Sequence, residues 1–233
     1  MKIVSILSLA CLLTACVKTH PAPGTASLNI INTVDGSTIL IPDFDGNTPL
    51  STFGTGNQFS YAYFYPYSNQ LSGYVGIQHL TIYRIEDTSA HATPLFDLTL
   101  TLPVGSIHTL FLTGTVATPD TLFTTDTLPY HADQDSAVGV RFVNLSQGSD
   151  PVTVAGVGRL AYKDVSAFKS YPAASGSPDP TFEFLDATGT PVASYTLTGV
   201  SSNDQTNTWR NRNVTIALYG RPGAQAAMLI NDY

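Results

Sequence analysis

Phe59-Ser60-Tyr61-Ala62-Tyr63-Phe64-Tyr65-Pro66-Tyr67 sets an aromatic ring at every second position: Phe59, Tyr61, Tyr63, Tyr65 and Tyr67. Side chains alternate between faces along a β-strand, so on a strand these rings share one face. Tyrosine joins a flat apolar surface to a hydroxyl, a combination that can stack on a sugar ring. The stripe is a candidate platform for a glycan or a peptide; packing against an opposing sheet accounts for the same pattern. A second segment, Asp43-Phe44-Asp45-Gly46-Asn47, spaces oxygen donors two apart around a glycine. Asp43, Asp45 and Asn47 could hold Ca²⁺ in part, without the distant bidentate glutamate of an EF-hand loop. A solvated turn explains them equally.

Other chemistry is sparse. His20, His79, His91, His108 and His131 form no close pair of the kind a zinc site uses. No Gly-x-Ser-x-Gly elbow and no glycine-rich phosphate loop occurs. The only glutamates, Glu86 and Glu183, lie in or beside strand ends at roughly equivalent places in two similar halves, which duplication explains without catalysis. The expectation is a protein that is not an enzyme and has no cofactor, Ca²⁺ being the one candidate.

The N-terminus speaks to location. Met1-Lys2 is a short basic start, and Ile3 to Leu13 is an apolar run too short to span a bilayer. It ends in Leu13-Thr14-Ala15-Cys16, the pattern of a bacterial lipobox, in which cleavage leaves Cys16 as the lipidated first residue. Residues 1–15 are then a signal peptide and 16–26, with Pro21, Pro23 and Gly24, a tether. The expected site is the outer membrane of the cell envelope, lipid-anchored, on either face. Cys11 leaves with the signal, so no disulfide is expected despite an oxidising compartment.

Charged residues are only 12% of the chain, and the remainder is rich in Thr, Ser, Gly, Pro and β-branched residues, a composition for strands and turns. Residues 26–136 hold ten acids and one base, Arg84, whereas 137–233 hold seven of each. So acidic a first half excludes nucleic acid as a partner, because phosphates call for Lys and Arg. Solubility is the reading adopted for this charge.

The chain reads as one plan used twice, with units at 27–136 and 137–233. Leu28-Asn29-Ile30-Ile31-Asn32 matches Val140-Arg141-Phe142-Val143-Asn144. Leu71-Ser72-Gly73-Tyr74 is aligned with Val165-Ser166-Ala167-Phe168, and Thr81-Ile82-Tyr83 with Thr181-Phe182-Glu183. Thr109, Leu112, Gly114 and Asp126 match Thr215, Leu218, Gly220 and Asp232. Short strands recurring about every ten residues predict a β-sandwich in each half, with Gln58–Tyr65 among the strands.

The two opening strands, Tyr65-Pro66-Tyr67 through Gly73-Tyr74 before Leu80-Thr81-Ile82-Tyr83, and Thr109-Leu110-Phe111-Leu112-Thr113-Gly114 together resemble the DUF4397-type domains of bacterial exported proteins. The chain departs from that pattern at Asn32-Thr33 and Asn144-Leu145-Ser146, where many members carry a His-Ala-Ser-like tripeptide. The resemblance implies an all-β fold of two tandem immunoglobulin-like sandwiches in an envelope lipoprotein, and brings no catalytic residues. The function expected is non-catalytic binding or scaffolding, with an envelope protein or a glycan as partner. Glycan capture on the aromatic stripe and membership of a surface filament are the alternatives.

Overall fold

The computed structural model describes residues 24–44, 57–72, 74–87, 92–202 and 207–232. Among these, the first half forms β1 (Ser27–Asn32), β2 (Ile39–Phe44), β3 (Phe59–Ser60), β4 (Gln70–Ser72), β5 (Gly76–Arg84), β6 (Phe96–Leu102), β7 (Ile107–Gly114) and β8 (Pro119–Thr125). One helical turn, α1 (Pro66–Asn69), precedes β4. The second half forms β9 (Ala137–Asn144), β10 (Val152–Val154), β11 (Gly158–Leu160), β12 (Lys169–Pro172), β13 (Thr181–Leu185), β14 (Pro191–Thr196), β15 (Asn213–Tyr219) and β16 (Ala226–Asn231). The sheets run β4-β1-β7-β8 and β3-β2-β5-β6, then β12-β9-β15-β16 and β11-β10-β13-β14. Each strand of the second half takes the place of its counterpart in the first, so the two halves share one topology. The protein is an all-β chain of two tandem sandwiches. Pairing is antiparallel except where β1 runs parallel to β7 and β9 parallel to β15.

Three cores explain the strand sequences. Leu28, Ile30, Leu40, Phe59, Leu80, Ile82, Leu110 and Leu112 fill the first sandwich. Val140, Phe142, Val154, Phe184, Val214, Ile216 and Leu218 fill the second. The alternate residues of β1, β7, β9 and β15 do not meet water. Ile31 and Phe111 pack with Val143, Leu145, Ala217, Met228 and Ile230 in a third core between the sandwiches. The molecule is therefore four sheets deep, and its two middle sheets are covered on both faces. That is why their central strands read as near-continuous apolar runs.

The seam also carries polar links. Thr113 Oγ1 donates to the Leu145 carbonyl at 2.8 Å, and Gln70 Nε2 to the Asn231 carbonyl at 3.2 Å. Asp120 of β8 accepts from Lys163 at 3.0 Å and from Tyr162 at 3.1 Å. Burial pushes the Tyr162 phenol up to about 12. Asp120, Asp126 and Asp35 come from the acid-rich first half; the bases that meet them, Lys163, Arg141 and Arg221, come from the second. Part of the charge imbalance read as solubility thus joins the halves.

Local chemistry fixes the corners. Gly114 and Gly220 sit at matching hairpins with φ of +81° and +85°. A Cβ at either would collide with a carbonyl, that of Thr118 or Ala224, so the matched glycines are required by conformation and space alike. Asn32 and Asn144 close the opening strands in the same way. Each accepts from the backbone N–H two residues on, Val34 or Ser146, and donates across to β3 or β11, to the Phe59 or Leu160 carbonyl. Asn32 and Asn144 are thus a matched pair of structural ties.

Three expectations need correction. The strand foreseen over Gln58–Tyr65 ends at Ser60, because Asn32 holds the chain there and Ala62 turns at φ +51°, donating to the Asn32 carbonyl. Leu71 corresponds to Lys169, not Val165, since Leu28 faces Leu71 on β4 and Val140 faces Lys169 on β12. Asp43 lies inside β2 rather than in a turn, and it is buried.

Candidate functional site

The aromatic run keeps its alternation without a strand ladder. Phe59 is fully buried in the first core, and Tyr61 is half-buried, its ring edge-on to Tyr219 at 5.8 Å across the seam. Burial, then the charge of Asp35, pushes the Tyr61 phenol above its ordinary value. Beyond the turn at Ala62, the even-numbered Ala62 and Phe64 pack onto the third core. The odd-numbered rings face solvent: Tyr63 is 58% exposed, Tyr65 46% and Tyr67 84%. Tyr65 and Tyr67 lie 5.3 Å apart, tilted by 59°. The structure therefore splits the five predicted residues into one core ring, one seam ring and a ledge of three exposed tyrosines.

Asn69 fixes that ledge. It is buried at the end of α1, donates to the Ile30 carbonyl of β1 at 2.6 Å, and accepts from the Tyr65 N–H at 2.7 Å. Asn69→Ala would leave both backbone groups short of a partner. A loss of about 1–3 kcal/mol is expected, read as a lower denaturant midpoint together with greater access of a soluble quencher to tyrosine. An unchanged midpoint would mean that the ledge is pinned elsewhere.

The strongest polar constellation lies at the seam. Arg141, on the outward face of β9, has a side chain only 6% exposed. It sits between the carboxylates that follow the last strand of each half. Nη1 donates to Asp126 at 2.6 Å, Nη2 to Asp232 at 3.2 Å, and Nε to Thr215 Oγ1 at 2.7 Å. The duplicated threonines complete it: Thr109 donates to Asp126 at 2.6 Å and Thr215 to Asp232 at 2.7 Å. The Phe168 ring covers the guanidinium at 4.9 Å.

One base therefore serves two buried acids. Burial pushes the Asp232 carboxyl up to about 6, with the Asp126 charge adding to it, against the opposing pull of Arg141 and Thr215. Burial also opposes the charge on Arg141, but the two acids hold its pKa above the ordinary value. These two shifts pull in opposite senses for a single contact, and the count of charges resolves them: a dry cluster of two acids and one base is relieved by a proton on one acid, not by losing one from the base.

The counterpart of Arg141 in the first half is Asn29. Asn29 pairs in register with Thr109 as Arg141 does with Thr215. It is completely buried, and neither its Oδ1 nor its Nδ2 has a hydrogen-bond partner among the described residues. The sequence held a signal for this cluster. Arg141 is the lone charge in the apolar strand Ala137-Val138-Gly139-Val140-Arg141-Phe142-Val143-Asn144, and a buried charge requires a partner. Asp126 and Asp232 were matched as repeat markers but not recognised as that partner.

The calcium candidates are not brought together in what is described. Asp43 is part of β2, while Asp45 and Asn47, like Cys16, lie outside the described residues. Among the described residues no group of three or more His, Cys, Asp or Glu side chains is placed to hold a metal ion. Beside Arg141 an open groove of about 440 Å³ runs between the end of β8 and the segment leading into β12. No protein-family model matches the chain, and no curated protein is significantly similar to it.

Proposed function

We propose that this chain is a non-catalytic, lipid-anchored protein of the bacterial cell envelope, attached to the outer membrane through Cys16, with a binding or scaffolding role. The observation that carries the binding role is the tyrosine ledge. Tyr63, Tyr65 and Tyr67 hold their rings in solvent on a segment clamped from beneath by Ala62, Phe64 and Asn69. Exposed aromatic rings on a rigid support are apolar contact area already ordered for a partner, which lowers the entropy cost of binding. The anchor rests on the Leu13-Thr14-Ala15-Cys16 pattern, as does placement in the envelope. Intact mass of protein extracted from its native membrane is expected to begin at Cys16 and to carry acyl chains, and Cys16→Ser to shift the protein into the soluble fraction. A chain that retains residues 1–15, or an unmodified Cys16, would end the anchored reading.

Glycan capture is the second reading, and the exposed hydroxyl-bearing rings favour it over purely structural scaffolding. On that reading a double change of Tyr63→Ala and Tyr67→Ala would abolish saccharide binding while leaving the fold intact.

A further inference from the structure

We propose that the groove beside Arg141 binds a neutral carbohydrate chain; this rests on the binding role above and places the ligand at the seam rather than on the tyrosine ledge. Its volume of about 440 Å³ falls within the range of about 300–1,000 Å³ typical of ligand sites. Arg141 is part of its lining. A guanidinium has five N–H groups. Thr215 takes that of Nε, Asp126 one of Nη1 and Asp232 one of Nη2. One N–H on each Nη is left without a hydrogen-bond acceptor among the described residues, on a side chain more than nine-tenths buried. Buried donors keep acceptors, and the groove is where one can arrive.

The surroundings decide which acceptor fits. Two carboxylates already share the guanidinium, so a further anion meets net negative charge. The acceptor must be a neutral oxygen. The walls present the complementary half of a hydrogen bond. The Thr124 hydroxyl donates to Asp126 at 2.8 Å, and that of Ser166 to the Ala167 carbonyl at 2.9 Å. The Thr124 oxygen keeps its lone pairs for a donor, and the Ser166 oxygen, which accepts from the Phe142 N–H at 2.9 Å, keeps one. Thr125 and Thr127, both exposed residues, add to the lining, the Thr125 hydroxyl lying 3.3 Å from His108 Nδ1.

A ligand group that accepts from Arg141 and donates to Thr124 or Ser166 is a hydroxyl, and a sugar carries several in series. Phe168, also in the lining, supplies apolar surface for the C–H face of a ring. Tyr130, next in the chain after the lining residue Pro129, is 89% exposed. A peptide bound by strand addition would instead engage backbone edges, whereas the polar groups offered here belong to side chains.

The test is saturation-transfer NMR on the folded mature chain. The probes are neutral hexasaccharides of glucose, xylose, mannose and N-acetylglucosamine, with oligogalacturonate as the anionic comparison and an unstructured peptide as the polymer control. At least one neutral saccharide is expected to bind saturably. Ala167→Trp, at an exposed lining position, fills the groove without touching the ion cluster. It is expected to weaken binding by about tenfold or more, as is Thr127→Trp, with both variants checked for folding by circular dichroism. Binding that survives both substitutions but is lost on Tyr63→Ala with Tyr67→Ala overturns the groove site and leaves the binding role standing. Preference for oligogalacturonate or for the peptide overturns the carbohydrate assignment. No binding by any neutral saccharide overturns the proposal outright, and the binding role is then judged separately by capture of envelope proteins through the ledge.

Discussion

Arg141→Ala is expected to cost about 3–5 kcal/mol of folding stability, against a total of about 5–15 kcal/mol for a typical protein. The loss comes less from the missing attraction than from what it leaves behind. Asp126 and Asp232 have side chains only 1% exposed, and without the guanidinium two carboxylates would face each other in a dry seam. Arg141→Lys is expected to recover little. An ammonium on a flexible stem cannot reproduce a planar fork that reaches Asp126, Asp232 and Thr215 together. Equilibrium denaturation at neutral pH reads the effect. A cost below about 1 kcal/mol, the value of a surface pair, would show that packing around Ile31 and Phe111 joins the halves without help from charge.

Asp232 gives the second large effect, through pH. Its folded-state carboxyl titrates at about 6 against an ordinary value of 3.8. The native state thus holds a proton that the unfolded chain has already released. Stability from this group is greatest at and below the unfolded pKa, and it declines as pH rises through the window between 3.8 and about 6. The full decline corresponds to about 3 kcal/mol.

Asp120 and Glu86 have lowered carboxyl pKa values and contribute with the opposite sign, losing stability as pH falls. For Asp120 burial works against the charged form, and its hydrogen bonds to Lys163 and the Thr121 N–H outweigh it; for Glu86 the Thr38 hydrogen bond leads. The wild-type profile alone therefore mixes the two senses. Asp232→Asn, which copies the protonated acid in shape and charge, isolates the term. The stability difference between variant and wild type is expected to move in the variant's favour by about 2 kcal/mol between pH 4 and pH 7. A difference that stays flat across that range would show that Asp232 is ionised throughout.

The sequence disclosed the architecture through its duplicated residues. Thr109 with Thr215, Gly114 with Gly220 and Asp126 with Asp232 fall at equivalent places in the sheets, because each does a job that tolerates little substitution: a buried donor, a left-handed corner, a buried acceptor. The edge strands β4, β11 and β12 were not foreseen. They are three or four residues long and rich in polar residues, as in Gly158-Arg159-Leu160 and Lys169-Ser170-Tyr171-Pro172, so neither length nor alternation marks them.

The tyrosines show the limit of periodicity as a guide. Alternation at Tyr63, Tyr65 and Tyr67 reports a segment with one covered side, here running from a left-handed turn at Ala62 into the helical turn that holds Tyr67. It does not report a hydrogen-bonded ladder, which here ends at Ser60 because Asn32, distant in sequence, takes hold of the chain. The ion cluster was hidden for the same reason. Its members are spread from Thr109 to Asp232, and only the stacking of one half on the other brings them together.

The mismatch of Asn29 with Arg141 makes the two halves non-interchangeable. A protein assembled from two copies of the first half would place two acids and no base in its seam; one assembled from two copies of the second would hold two of each. Only the mixed pair has a single cation shared by both acids. At this position the seam thus has a donor side and a recipient side. The first half depends on the second for the countercharge of Asp126, whereas the second carries its own.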